Sequence, residues 1–234
     1  MRINKYLARQ GHATRRGADE LIEAKKVLLN DRIAVLGDKV EEGDKVELRS
    51  GHKPKEYKYF AYHKPKGVIT HSPQEEDEED IKGALSSFPE LADVFPVGRL
   101  DKASHGLIIL TNDGRVTDRL LNPDHDHEKE YVVKTRDKLR PSFKEHMEKG
   151  VELEDGYVTK PAKVKLLGEK AFAVTLTEGK KHQIRRMVSM LHNDTVELKR
   201  TKVMNIALGS LPSGAFRPIE GPPLKGFLKA LGIG

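Results

Sequence analysis

The segment at residues 98–114 constrains the local fold more than any other part of the chain. It begins with Gly-Arg-Leu-Asp, continues into the apolar stretch Gly-Leu-Ile-Ile-Leu and ends at Asn-Asp-Gly. A short apolar run bounded by turn residues is typical of a buried strand. Asp101 therefore lies in a loop directly before a buried strand. An aspartate in this position is most often a turn or capping residue, so the local pattern alone assigns it no chemical role.

The distribution of charge favours a polyanionic partner. The formal net charge is +6 over 234 residues, although residues 75–80 form an uninterrupted acidic run. We interpret that run as a solvated loop, so the rest of the surface is basic. A basic surface of this kind suits nucleic acid, but it also occurs in proteins that bind none.

The composition excludes several other classes of protein. The chain contains no cysteine, which excludes disulfides and thiolate zinc sites and agrees with a cytoplasmic location. Its longest apolar stretches are far shorter than a membrane span, and its first residues lack the apolar region of a secretory signal. We therefore expect a cytoplasmic protein that does not bind membranes.

Residues 1–49 have the pattern of a small separate unit. Their apolar spacing predicts two short helices, the second capped by Thr14. A hairpin with its turn at residues 30–31 and a third strand follow. Residues 50–58 read Ser-Gly-His-Lys-Pro-Lys-Glu-Tyr-Lys, a mostly polar stretch with one Gly and one Pro, which predicts a linker.

From residue 59 to residue 234 the pattern changes to many strands with few helices. Strands are predicted at residues 59–62, 106–110, 131–135, 162–167, 171–176 and, with interruptions, 196–208. Helices are predicted at residues 115–121, 142–149 and 181–192. Because the strands and helices do not alternate as βαβ units, the fold class is α+β.

Basic residues accompany the two N-terminal helices: Arg9, Arg15, Arg16, Lys25 and Lys26. Such side chains neutralise RNA phosphates, although a solvated charged face gives the same pattern. The two helices, the Val-x-Leu-Asn hairpin and the Gly-Asp turn at residues 43–44 resemble the RNA-binding domain of ribosomal protein S4. That family usually has Asn-Gly where this chain has Asn-Asp, but Asp tolerates the same turn. The resemblance implies that these basic residues bind RNA.

The segment at residues 98–114 resembles the signature of RNA pseudouridine synthases. In that family Gly-Arg-Leu-Asp is followed by a short spacer, Thr, Gly and an apolar strand, and here Ser104 keeps the hydroxyl of the usual Thr. Further matches are Lys-Pro-Lys-Gly at residues 64–67, Glu-Lys-Glu-Tyr at 128–131 and Glu-Gly-Lys-Lys-His-Gln-Ile-Arg-Arg at 178–186. Together with the N-terminal unit, they resemble the RsuA-type branch that modifies ribosomal RNA. The resemblance implies a catalytic domain at residues 59–234 with a mixed, mostly antiparallel sheet.

The resemblance also implies a chemistry. The bond from the anomeric carbon to the base nitrogen breaks and a new bond forms to carbon 5, so no cofactor is expected. Asp101 would be the catalytic carboxylate, with Arg185 as its paired cation and Tyr131 stacked on the base. Arg99 would hold the flipped nucleotide or fill its gap, and Leu208 would close the apolar floor of the pocket.

Other classes of function stay open at this point. A ribosome-assembly factor would use the N-terminal unit alone, with Asp101 as a structural residue. A metal-dependent hydrolase would need ligands from Asp-His-Asp-His-Glu at residues 124–128, but alternate residues of an extended segment face opposite ways, so we expect no metal. His105 and His182 lie within the matched motifs, yet the chemistry requires neither as acid or base. We expect a monomer, and the sequence leaves open whether its target is small-subunit or large-subunit ribosomal RNA.

Overall fold

The computed structural model describes residues 1–10, 12–13, 15–49, 56–71, 79–122 and 125–233. The expected cap Thr14, residues 50–55 of the expected linker and residues 75–78 of the acidic run lie outside the described residues.

The first 49 residues have a core of their own. Helices α1 (Ile3–Arg9) and α2 (Arg15–Glu23) pack on strands β1 (Val27–Leu29), β2 (Arg32–Ile33) and β3 (Val46–Leu48). These strands form an antiparallel sheet in the order β2-β1-β3. The residues buried between helices and sheet are Ile3, Leu7, Ala18, Leu21, Ile22, Val27 and Leu29. The predicted helices and hairpin are therefore confirmed, with small shifts at their ends.

The hairpin turn between β1 and β2 keeps its geometry without the usual glycine. Asn30 and Asp31 both have positive φ, at 51° and 65°, which is the conformation that a two-residue turn of this kind requires. The Asn30 amide donates to Asp44 at 2.7 Å, and its oxygen accepts from the Lys45 backbone at 2.9 Å. These hydrogen bonds tie the turn to the start of β3.

One mixed sheet forms the frame of the larger region. Its strands are β4 (Tyr59–Lys64), β5 (Phe95–Val97), β6 (His105–Thr111), β7 (Lys129–Thr135), β8 (Lys163–Gly168), β9 (Ala171–Leu176), β10 (Thr195–Val203), β11 (Ile206–Ala207) and β12 (Phe216–Pro218). The order is β12-β4-β6-β10-β7-β9-β8, with β5 beside β6 and β11 beside β10. Among the described strands, only β6 and β10 pair in parallel. The expected α+β fold with a mostly antiparallel sheet is confirmed.

Helices cover both faces of this sheet. They are α3 (Ile81–Ala84), α4 (Gly114–Leu121), α5 (Phe143–Lys149), α6 (Gln183–Met190) and α7 (Gly221–Ala230). Successive side chains of β6 enter different clusters, because a strand alternates its faces. Leu107 packs with Phe227 of α7, whereas Ile108 packs with Leu100 of the preceding loop. The loop that carries Asp101 therefore lies on the same face of the sheet as the Ile108 side chain.

The parallel contact between β6 and β10 requires a glycine. Gly106 has φ 113°, and a Cβ on it would lie 2.3 Å from the backbone oxygen of Arg200. The Arg200 guanidinium is buried and donates to the Leu107 carbonyl at 2.6 Å. Only glycine combines this backbone conformation with so close an approach.

We predict that Gly106→Ala lowers the free energy of unfolding by at least about 2 kcal/mol, because the strands must separate or the backbone must leave its conformation. Gly168→Ala is the matched control, since its Cβ would meet no atom within 4 Å and its φ is ordinary. Urea unfolding of both variants measures the difference. Equal stability of the Gly106 variant and the wild type would contradict the packing described for β6 and β10.

Candidate active site

The loop before β6 holds the backbone around Asp101 in one position. The Thr70 hydroxyl accepts from the Leu100 backbone nitrogen at 3.0 Å and donates to the Leu100 carbonyl at 2.8 Å. The Ser104 backbone nitrogen donates to the Asp101 carbonyl at 2.9 Å, which closes a turn. The Asp101 side chain is 36% exposed, so the backbone is fixed while the carboxylate is accessible to a ligand.

Lys64 provides a buried cation near this loop. Its Nζ donates to the carbonyls of Pro65 at 2.7 Å and Val68 at 2.6 Å, and the residue has no exposed surface. Burial lowers the pKa of Lys64 to about 8, an effect that the charge of Asp101 opposes and the charge of Arg200 adds to. The Gly67 backbone nitrogen donates to the Lys102 carbonyl, so the Lys-Pro-Lys-Gly segment also holds the Asp101 loop.

The side chain that contacts Asp101 is not the expected one. His182 Nε2 lies 3.3 Å from Asp101 Oδ1. The Arg185 guanidinium instead donates to Ser104 Oγ at 3.1 Å, to the Ala103 carbonyl at 3.4 Å and to the Thr195 carbonyl at 3.2 Å. The described residues therefore contain no direct ion pair between Arg185 and Asp101, and that expectation is corrected. Arg185 is occupied in holding the turn that follows Asp101.

Tyr131 lies beside the strand contact that supports the loop. On β7 it is opposite Arg200 of β10, which is in turn opposite Gly106 of β6. Its ring packs against the cluster that contains Leu100, the neighbour of Asp101. The register of three strands thus brings the tyrosine to the face of the sheet that carries the Asp101 loop.

Leu208 does not lie with Tyr131 and the Asp101 loop. It is buried in the cluster of Leu107 and Phe227, on the face of β6 opposite to Ile108. Its contacts do not support the expected place in the floor of a pocket with Tyr131. Sequence spacing could not reveal this, because Leu208 follows a strand interruption at which the alternation of faces restarts.

A basic cleft of about 1320 Å³ separates the first unit from the larger region. From the first unit it is lined by the cations Lys5, Arg9, Arg15 and Arg16. From the larger region it is lined by the cations Lys82, Arg99, Arg115 and Arg119 and by the acids Asp80, Asp93 and Asp118. Lys25 and Lys26 do not line it, so only part of the expected basic set faces the cleft. Arg99 of the same loop lines the cleft, whereas Asp101, two residues further on, is not among its lining residues.

Neither a metal site nor a membrane-spanning helix occurs in the part of the chain that the structure describes. Within the described residues no group of three His, Cys, Asp or Glu side chains is arranged to hold a metal ion. His125 and His127 lie with ring centroids 5.7 Å apart, and Asp124 is outside the described residues. In the same part of the chain, no helix has the length and apolar character needed to span a membrane.

Comparison with known proteins identifies the family. Residues 58–190 match the model of the RNA pseudouridylate synthase family, and residues 1–46 match the S4 domain. The chain is 36% identical to the dual-specificity RNA pseudouridine synthase RluF of Escherichia coli strain K12, over 99% of this chain and 79% of that protein. It is 32% identical to ribosomal large subunit pseudouridine synthase B of Bacillus subtilis strain 168, over 93% and 91% of the two chains.

A solved structure supports the same assignment. The fold resembles a crystal structure of a pseudouridylate synthase with a TM-score of 0.71 and 28% identity, over 98% of this chain and 99% of that chain. The chain therefore belongs to the RNA pseudouridylate synthase family and carries an N-terminal S4 domain.

The pKa of Lys64 leads to a prediction about stability. Its value is about 8 in the folded protein and near its ordinary 10.5 in the unfolded chain. Between these values the unfolded chain binds more protons, so stability should rise with pH in that window. Below pH 8 both states are protonated, and the cost of burying the charge is fully present. We predict that the stability of the wild type relative to Lys64→Met increases by as much as about 3 kcal/mol from pH 8 to pH 10.5.

The measurement is urea unfolding of the wild type and Lys64→Met at several pH values. Lys66→Met is the control, because Lys66 is exposed and its removal should leave the pH dependence unchanged. A constant difference between wild type and Lys64→Met across this window would show that the pKa of Lys64 is not depressed.

Proposed function

We propose that this protein converts a specific uridine of ribosomal RNA to pseudouridine, with Asp101 as the catalytic carboxylate acting on a flipped-out nucleotide. The observation that carries the proposal is the Asp101 loop: its backbone is fixed on both sides while the carboxylate is 36% exposed, two residues after Arg99 of the basic cleft. Ribosomal RNA as substrate is supported by the S4 domain and by the relative named for the large ribosomal subunit.

The carboxylate assists departure of the base. As the bond between the anomeric carbon and the base nitrogen breaks, the base leaves with the bonding electrons and the sugar becomes electron-poor. Asp101 stabilises this sugar by nucleophilic attack or deprotonation, and the base then rotates and attacks through carbon 5. Carbon 5 then loses its proton while the released base nitrogen gains one, and any proton that Asp101 took from the sugar is returned. The isomerisation therefore causes no net change in atoms or electrons. The reaction therefore requires neither an oxidant nor a group donor.

The target nucleotide must leave its stack to reach Asp101, because a base within a helix is not accessible to a side chain. Tyr131 supplies an aromatic ring at the same face of the sheet and stacks on the extruded base. Arg99 is exposed next to the loop and contacts the backbone of the flipped nucleotide or fills its gap. Arg185 takes part indirectly, since it holds Ala103 and Ser104 in the turn after the catalytic carboxylate.

The basic cleft provides a path for the RNA backbone. Arg9, Arg15 and Arg16 face it from the S4 domain, and Arg99 and Arg119 face it from the catalytic domain. An RNA strand that binds in the cleft releases counterions as these side chains neutralise its phosphates. The strand then extends toward the Asp101 loop. Lys25 and Lys26 contribute less, because they lie outside the cleft. A cytoplasmic location and a monomeric state remain predictions from the sequence.

The first test concerns the carboxylate. Asp101→Asn keeps the shape of the side chain but removes its charge, so pseudouridine formation should fall at least about 1000-fold while RNA affinity stays within about threefold. Release of tritium from ribosomal RNA labelled at uridine carbon 5 measures the reaction. Asp194→Asn is the control, because Asp194 is an exposed acid paired with Arg136. Turnover of the Asp101 variant within tenfold of wild type would refute its catalytic role.

The second test separates the cleft from the rest of the S4 surface. Arg15→Gln combined with Arg16→Gln should weaken RNA binding and reduce the slope of log affinity against log salt by about 0.7–0.9 for each phosphate that is no longer neutralised. Lys25→Gln combined with Lys26→Gln removes the same charge outside the cleft and should have a smaller effect. Binding is measured across a salt series. Equal effects of the two double variants would rule out the cleft as the path of the RNA.

A further inference from the structure

We propose that His182 is a positioning residue that orients the Asp101 carboxylate through a polar contact from Nε2, an inference that rests on the proposed catalytic role of Asp101. The distance from His182 Nε2 to Asp101 Oδ1 is 3.3 Å. Both side chains are partly exposed at the same opening, with 49% of His182 and 36% of Asp101 accessible. The contact therefore forms where an RNA substrate would meet the carboxylate.

Within the described part of the chain, His182 is the only side chain paired directly with the carboxylate, and Lys64 acts on it through charge alone. The hydrogen bonds of Thr70 and Ser104 fix the backbone around Asp101 but leave its side-chain torsions free. Arg185 donates to Ala103, Ser104 and Thr195 and leaves the carboxylate to another donor. His182 fills that role, so its removal frees the side chain without disturbing the loop.

The backbone of His182 is held in an uncommon conformation that directs its ring toward Asp101. Its φ is 52° and its ψ is 25°, in the left-handed region, directly before α6. Residues other than glycine rarely adopt this conformation, and they do so mostly where the surrounding structure imposes it. His182 also caps no helix nitrogen with its side chain, so capping does not account for the conformation.

The neighbouring Gln183 holds the segment that carries His182. Its side chain is buried, donates to Glu178 at 2.5 Å and accepts from the Lys180 backbone nitrogen at 2.9 Å. Glu178 in turn accepts from the Tyr157 hydroxyl at 2.5 Å. This network closes the segment from residue 178 to residue 183 into a rigid turn. His182 stands at its end, facing the Asp101 loop.

A fixed carboxylate matters for this reaction, because attack on or proton removal from the sugar requires alignment with one carbon or hydrogen. A displacement of the reacting group by about 1 Å can cost about 100-fold in rate. His182 acts here as a donor: its Nε2 carries a proton in the imidazolium and in one neutral tautomer. The role requires no transfer of that proton during the reaction.

The test compares variants that differ in reach but not in fold. Asn tolerates the left-handed conformation, but its amide is too short to reach Asp101, whereas the amide of Gln reaches about as far as histidine Nε2. We expect His182→Asn to lower the single-turnover rate at saturating ribosomal RNA by about 10-fold to 100-fold, with RNA affinity within about twofold of wild type. His182→Gln should recover the rate to within about fivefold.

His192→Asn is the matched control. His192 also has positive φ, at 58°, and lies just beyond the other end of α6, so it reports the effect of the same replacement away from the site. Its rate should equal that of the wild type. Thermal unfolding of all variants checks that the fold is retained.

The outcomes separate this inference from the proposed function. If Asp101→Asn is inactive while His182→Asn keeps the wild-type rate, Asp101 is catalytic and the positioning role of His182 is wrong. Equal losses in His182→Asn and His182→Gln would also overturn it, because the polar contact with Asp101 would then not be the cause. A loss of affinity without a loss of rate would assign His182 to RNA binding and overturn the proposal.

Discussion

The close approach of β6 and β10 at Gly106 is the constraint on which the rest of the catalytic domain depends. It allows the buried Arg200 to donate both to Leu107 on the strand and, at 3.5 Å, to the Arg99 carbonyl in the loop. The strand and the Asp101 loop are thereby joined through one side chain. The same register brings Tyr131 opposite Arg200. A bulkier residue at position 106 would separate the strands, and the loop and the tyrosine would lose their common support.

Much of the fold was predictable, because most helices and strands have a recognisable pattern of apolar residues within their own segment. The apolar run of β6 and the apolar face of α6 are short-range patterns, and both were found within a few residues of their bounds. Helix α7 was missed because its first residues, Gly-Pro-Pro, are typical of loops, although proline also suits the first turn of a helix. The edge strands β5 and β12 were missed because each is three residues long and contains a proline.

The site was predictable only in part. The aspartate proposed as catalytic can be singled out from one continuous segment, through the resemblance of that segment to the family signature. The side chains that contact this aspartate cannot be inferred in the same way, because they come from elements that are distant in sequence and packed together only in the fold. Arg185 was expected at the carboxylate, yet its guanidinium reaches the turn beyond it, and His182 takes the contact through a left-handed backbone that spacing does not encode. The position of Leu208 depends on which face of the sheet it enters, and that is set after an interruption between β10 and β11.

The most direct test of the account is a map of pseudouridines in ribosomal RNA from cells that lack the gene for this protein, compared with cells that carry it. We expect at least one pseudouridine to disappear in the deficient cells and to return when the gene is restored. RNA isolated from the deficient cells should also acquire that pseudouridine when purified protein is added without a cofactor. An unchanged map, together with no reaction on the isolated RNA, would contradict the central claim.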